Sequence, residues 1–137
     1  MGLYLAIFDG DDELEGVEVG SYADFAFFRD AVVSNVEGGT AGARCPTLIL
    51  HSDCDGEWSP DEAASLEAEL KEIARDFASL PSVSLGEGWK PEVAKMFGIR
   101  PANLADCFFD VDGEPLLERL IGLAKLSQER NLPILFQ

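Results

Sequence analysis

The stretch that organises the rest of the chain is TLILHSDCDGEWSPDE, residues 47–62. It opens on an apolar run that ends at the only histidine, His51, and short apolar runs bounded by turn residues are typical of buried strands. Ser59 and Pro60 then supply an N-cap and a first-turn proline, which predict a helix to about Phe77. We therefore predict a strand, a loop and a helix in succession, with the loop held in place to bind a partner or to carry chemistry.

Similar segments extend outward from this stretch in both directions. Apolar runs predict strands at Leu3–Phe8, Val17–Val19, Thr47–His51, Pro81–Leu85, Cys107–Val111 and Ile134–Phe136. Apolar residues at helical spacing predict helices from Ser21 to Val36, Ser59 to Phe77, Trp89 to Phe97 and Pro115 to Arg130. Strands interleaved with helices predict an α+β fold. We expect a single domain over residues 1–137, with a mixed sheet of four to five strands packed with three to four helices.

The chain is strongly acidic. It has 26 Asp and Glu residues against 10 Lys and Arg residues, and a formal net charge of -16 at pH 7. Sixteen of the acidic residues and only two of the basic ones lie in residues 1–70. Nucleic acids and anionic membranes attract positive charge, so we expect neither as a ligand. A basic protein partner fits this charge, and so does an acidic surface that serves only solubility.

Cysteine content and terminal sequence bear on the compartment. The sequence has three cysteines, Cys45, Cys54 and Cys107. An odd number argues against a disulfide framework, and their spacing is not that of zinc ligands. We expect Cys45 and Cys107 to be core residues. Residues 1–8 lack the basic segment of a signal peptide, and no apolar run approaches membrane-spanning length. We expect a soluble cytoplasmic protein without a cofactor, whose oligomeric state the sequence does not specify.

Acidic clusters that follow predicted strands are candidates for metal-dependent chemistry. They lie at Asp9–Glu13, Asp53–Glu57 and Asp110–Glu114. Carboxylates bind calcium and magnesium. The residue spacing of an EF-hand is absent from these clusters, so the remaining hypothesis is an irregular carboxylate site.

The segment FFDVDGE, residues 108–114, resembles the nucleophile motif of haloacid-dehalogenase-type phosphatases, in which a strand-end aspartate attacks phosphate. Glu114 stands where that family has Thr or Val, and only 23 residues remain for the downstream Lys and acidic pair. The alternative function is thus a small metal-dependent hydrolase that uses strand-end aspartates. We predict neither catalytic residues nor metal ligands.

The loop after His51 has the composition of a binding surface. His51 beside Cys54 lacks the third, orienting group of a catalytic triad. Trp58 stands among acids, as an aromatic residue in a binding hot spot does. If the strands before the acidic loops are parallel neighbours, the loops form one negative patch. The predicted partner-binding residues are Asp11, Asp12, Glu13, His51, Asp53, Asp55, Glu57 and Trp58.

Segments along the whole chain resemble a family of bacterial polymorphic-toxin immunity proteins, immunity protein 70. These segments are Met1–Leu5, Val17–Phe25, Pro46–Pro60, Asp110–Leu117 and Pro133–Phe136. The resemblance implies a non-enzymatic protein that binds and neutralises a cognate toxin domain in the cytoplasm of the producing cell. It identifies no toxin and carries over no binding residue. The acidic charge fits a basic toxin such as a nuclease, because opposed potentials speed association.

Overall fold

Two long antiparallel strands begin the fold in the computed structural model, which describes residues 2–137 and leaves Met1 outside the described residues. Strand β1 spans Gly2–Asp9 and strand β2 spans Asp12–Ser21. Gly10 takes a left-handed conformation (φ 64°) in the turn between them, which suits a residue without a Cβ. The strands predicted at Leu3–Phe8 and Val17–Val19 are confirmed, and β2 extends well beyond Val17–Val19.

Five helices follow, and the four longer ones match the predicted helices. Their bounds are α1 Tyr22–Asn35, α2 Pro46–Ile49, α3 Pro60–Ala78, α4 Trp89–Phe97 and α5 Leu116–Arg130. Ser21 and Ser59 each form a capping box, with Asp24 and Glu62 as the reciprocal partners. Among residues 2–137, none of these helices is long and apolar enough to cross a membrane.

The sheet is completed by two short strands, β3 at Glu57–Trp58 and β4 at Ile134–Phe136. The strand order is β2-β1-β4-β3, and all the pairings in it are antiparallel. The α+β single-domain prediction is confirmed, with four strands and without the parallel pairs that a mixed sheet would contain.

The core lies between the helices and one face of this sheet. Leu3, Leu5 and Ile7 project from β1 into it, and the two cysteines predicted to be core residues are buried. Other large side chains that are fully buried are Phe25, Phe28, Leu66, Leu70, Phe77 and Leu120.

The strand predicted at Thr47–His51 is wrong, because Thr47–Ile49 lie in helix α2 and the two residues after them form a bend. Pro46 occupies the first helical turn, and the Glu69 carboxylate from α3 accepts hydrogen bonds from the amides of Thr47 (3.2 Å) and Leu48 (3.0 Å). The first amides of a helix have no acceptor within the helix itself, and Glu69 supplies one here. A short buried apolar run fits a strand and a helical turn equally well.

The strands predicted at Cys107–Val111 and Pro81–Leu85 are also wrong. Residues Ala105–Cys107 form a short 3-10 helix, and Phe109 makes only an isolated antiparallel bridge to Pro115. Residues 81–85 have no regular secondary structure. Of the three strands predicted to precede acidic loops, only β1 therefore exists.

Candidate surface for a protein partner

The acidic loops lie at separate places on the sheet. Leu135 of β4 pairs with Ala6 on one side and with Glu57 on the other. The chain therefore enters β3 at the end of the sheet opposite the β1–β2 turn, on the order of 15 Å away at about 3.3 Å per residue. The turn at Asp110–Glu114 lies beside β2, where the Val111 amide donates to the Glu18 carbonyl (3.2 Å). The single merged patch expected from parallel strands is therefore wrong.

The hairpin acids Asp11, Asp12 and Glu13 are all exposed. Glu13 accepts a hydrogen bond from the phenol of Tyr4 (Oη to Oε1, 2.9 Å). Burial raises the pKa of Tyr4, as do the hydrogen bond to Glu13 and the negative charge of that carboxylate. The phenol therefore stays protonated and remains a donor to the glutamate.

The loop at 51–57 is organised around the ring of His51. The ring stacks on Phe136, with centroids 4.3 Å apart and planes inclined by 20°. Its two nitrogens lie 2.8 Å from the Ser52 carbonyl and 2.9 Å from the Glu57 carbonyl. Carbonyl oxygens only accept, so the neutral ring can donate to one of them and the protonated ring to both. His51 thus determines the loop's shape from a partly buried position.

Asp53 lines a shallow groove of about 470 Å³, together with Asp30 of α1. Arg29 lines the groove and donates to the backbone carbonyls of Ile49 and His51. Burial lowers the pKa of Arg29, while the charge of the nearby Asp53 acts in the opposite direction. Asp55 and Glu57 lie outside the lining of this groove and, like Asp53, are exposed.

Trp58 lies in the core, which corrects its predicted place in a surface hot spot. It is 1% exposed, and its indole Nε1 donates to the Thr47 carbonyl at 3.0 Å. Its ring meets Phe136 edge to face, with centroids 4.7 Å apart. Successive side chains of a strand point to opposite faces, so β3 places Glu57 outward and Trp58 inward.

Asp110, the first aspartate of the phosphatase-like segment, anchors a turn. Its carboxylate is fully buried and accepts from the amides of Asp112 (2.9 Å) and Glu114 (3.0 Å) and from Arg119 Nε (3.2 Å). Arg119 also donates to the Gly16 carbonyl of β2 (2.7 Å), which ties the turn to the sheet. Within the described range, no group of three or more His, Cys, Asp or Glu side chains is placed to hold a metal ion.

The residues missed by the sequence analysis lie on the sheet face turned away from the helices. Tyr4 and Phe8 of β1 and Leu135 of β4 are partly exposed, whereas their strand neighbours Leu5 and Ile134 are buried. β1 is apolar on both faces, so its sequence resembles that of a strand covered on both sides. The two aromatic residues of β1 lie on its exposed face and the larger aliphatic residues on its buried face. A pattern that separates only polar from apolar residues does not distinguish these two faces.

Comparisons with known proteins point to one family. A search of curated proteins finds no match to this chain, and neither does a search of solved structures. A family model described as immunity protein 70 matches residues 3–136, which include all four strands of the sheet except Gly2. The chain therefore belongs to the immunity protein 70 family.

Proposed function

We propose that this protein is a cytoplasmic, non-enzymatic immunity protein that binds and neutralises a cognate polymorphic-toxin domain. The observation that carries the proposal is the family match, which spans residues 3–136. The formal net charge of -16 supports a basic toxin, because opposed potentials speed association and exclude partners of like charge. A nuclease is one such toxin, since a cleft that binds phosphates is basic.

The proposed contact residues are the exposed acids at the two ends of the sheet. Asp11, Asp12 and Glu13 lie at one end, and Asp53, Asp55 and Glu57 at the other. His51 contributes by holding the second loop in shape through its stacking on Phe136. The buried Trp58 supports that loop from the core and makes no contact of its own with the toxin.

A co-expression assay tests the binding function. We expect the gene of the cognate toxin to lie beside this one. Its toxin domain is expressed in a bacterial host with and without the protein, and growth is measured. We expect the host that expresses the toxin to grow only when the protein is expressed with it. We also expect calorimetry to detect a complex of the two purified proteins. Absence of both protection and complex formation would contradict the proposal.

The non-enzymatic part of the proposal is tested on the purified protein alone. The buried Asp110 carboxylate, bonded to two amides and to Arg119, supports a structural role for this residue. We expect no hydrolysis of phosphate monoesters above background with magnesium added. Magnesium-stimulated hydrolysis that is lost in Asp110→Asn would favour the alternative, a small metal-dependent hydrolase.

A further inference from the structure

The sheet face turned away from the helices combines apolar residues with glutamates in a regular way. Three cross-strand pairs lie on it: Phe8 with Glu13, Tyr4 with Glu18, and Leu135 with Glu57. The apolar member of each pair is partly exposed and the glutamate is exposed. We call these six residues the sheet face. Apolar residues form its centre and glutamates its two edges, because the strand order places β2 and β3 outermost.

The negative charge of the sheet face has no counterpart within the part of the chain that the structure describes. Glu13, Glu18 and Glu57 are absent from all the ion pairs found among residues 2–137. Two acids that the same hairpin turns toward the helices are paired, since Glu15 lies 3.5 Å from Arg119 and Asp9 lies 3.2 Å from Arg130. Asp12, opposite Asp9, is in none of these ion pairs. The three glutamates of the sheet face therefore carry charge that no basic side chain among the described residues neutralises by an ion pair.

Tyr4, at the centre of the sheet face, packs closely against β2. The ring of Tyr4 lies across Gly16 so closely that a Cβ on Gly16 would overlap the phenol oxygen. The same hydroxyl donates a hydrogen bond to Glu13, so two residues of β2 hold this end of the ring. An aromatic side chain that is already immobile loses little conformational entropy when a partner covers it.

We propose that the sheet face is the surface on which the toxin domain docks, and that the toxin meets it with arginine and lysine side chains. The aliphatic stems of these side chains would cover Tyr4, Phe8 and Leu135, and their charged ends would reach the three glutamates. Guanidinium groups also stack on aromatic rings. Charge complementarity thus selects a basic protein surface as the occupant. This inference rests on the proposed function and specifies where the toxin is bound.

The test compares two double variants that remove the same charge. Glu18→Gln with Glu57→Gln alters the sheet face, and Glu118→Gln with Glu129→Gln alters exposed acids of α5 on the helical side. The probe is the toxin domain encoded beside this gene, inactivated by substitution in its active site. We expect the sheet-face variant to raise the dissociation constant by about tenfold or more, and the α5 variant to change it by less than about threefold. Thermal melting of both variants confirms that they are folded.

The possible outcomes separate this inference from the function on which it rests. Equal affinities for the two variants would show that the toxin docks elsewhere, while the proposed immunity function would stand. A wild-type protein that does not bind the toxin would overturn both. Phe8→Ala gives an independent reading without a change of charge, and wild-type affinity in that variant would likewise contradict docking on the sheet face.

Discussion

A side chain on the neighbouring strand leaves no room for a Cβ at Gly16. The ring of Tyr4 occupies the space that a Cβ at Gly16 would need. We expect Gly16→Ala to lower the free energy of unfolding by about 1–3 kcal/mol, since an atom is forced into a packed contact. Chemical denaturation measures the change. Gly122→Ala is the control, because Gly122 lies in α5 with open space around it and should gain about 0.5–1 kcal/mol from better helix propensity.

Trp58 is expected to contribute to stability and to leave affinity unchanged. Its ring is buried against Phe136 and its indole nitrogen is bonded to the Thr47 carbonyl. Truncation to alanine leaves a cavity and an unpaired carbonyl, so Trp58→Ala should lower the free energy of unfolding by about 3–5 kcal/mol. Urea denaturation measures this loss, with Asp55→Asn as an exposed control from the same loop. A Trp58→Ala protein with wild-type stability would place the ring at the surface after all.

At the scale of elements, Glu37 holds the segment between α1 and α2 in place and makes it sensitive to acid. Its buried carboxylate accepts from the amides of Gly42, Arg44 and Cys45, at 2.9–3.0 Å. Burial raises the pKa of Glu37, but these three bonds and the charge of Arg44 outweigh it and hold the pKa below its ordinary value of 4.5. The charged carboxylate is therefore favoured in the folded state.

The lowered pKa of Glu37 predicts the direction of the pH dependence. A carboxyl group whose pKa is lower in the folded protein stabilises it above the ordinary pKa, and that contribution is lost as pH falls through the folded value. We expect wild-type stability to decrease below about pH 4.5, and Glu37→Gln to show a shallower decrease from a lower starting point. Melting temperatures between pH 7 and pH 3 measure both slopes. Parallel slopes for the two proteins would contradict this role.

Helix α2 is held at its first turn by a residue that is distant in the sequence. Its first amides donate to Glu69 of α3. We expect Glu69→Ala to lower the free energy of unfolding by about 1–3 kcal/mol, because two amides lose their acceptor, and Glu69→Gln to lower it less, because one oxygen remains. Hydrogen exchange of the Thr47 and Leu48 amides measures the local effect. Unchanged protection of these amides in Glu69→Ala would contradict the capping role.

The same dependence on distant residues separates the elements that sequence could predict from those it could not. The longer helices carry their own signals, such as the capping boxes at Ser21 and Ser59 and the glycine that ends α4. The helical turn of α2 depends on Glu69, and the inward side of Trp58 depends on a pairing with Ile134. No local pattern contains that information. The sequence composition therefore predicted the acidic residues of the candidate surface. It did not predict the apolar residues that lie between them.

For the whole molecule, the excess of acids predicts how the rate of association depends on salt. Asp11 and Asp12 are exposed at the hairpin end, so their charge would attract the proposed basic toxin from a distance. We expect Asp11→Asn with Asp12→Asn to slow association severalfold at low salt and to leave dissociation nearly unchanged. The difference should fade at about 1 M salt, where charges are screened within about 3 Å. Stopped-flow mixing measures the rates, and a difference that persists at high salt would contradict steering.

The position of β4 has a consequence for synthesis. β4 lies between β1 and β3, and Phe136 comes 131 positions after its partner Leu5. While the chain is being translated, the hairpin is available early, but one edge of β1 stays open and β3 has no strand to join. Translation that stops before Ile134 leaves an unprotected strand edge, which favours misassembly. The four-stranded sheet can therefore close only after residues 134–136 have been synthesised and have paired with both β1 and β3.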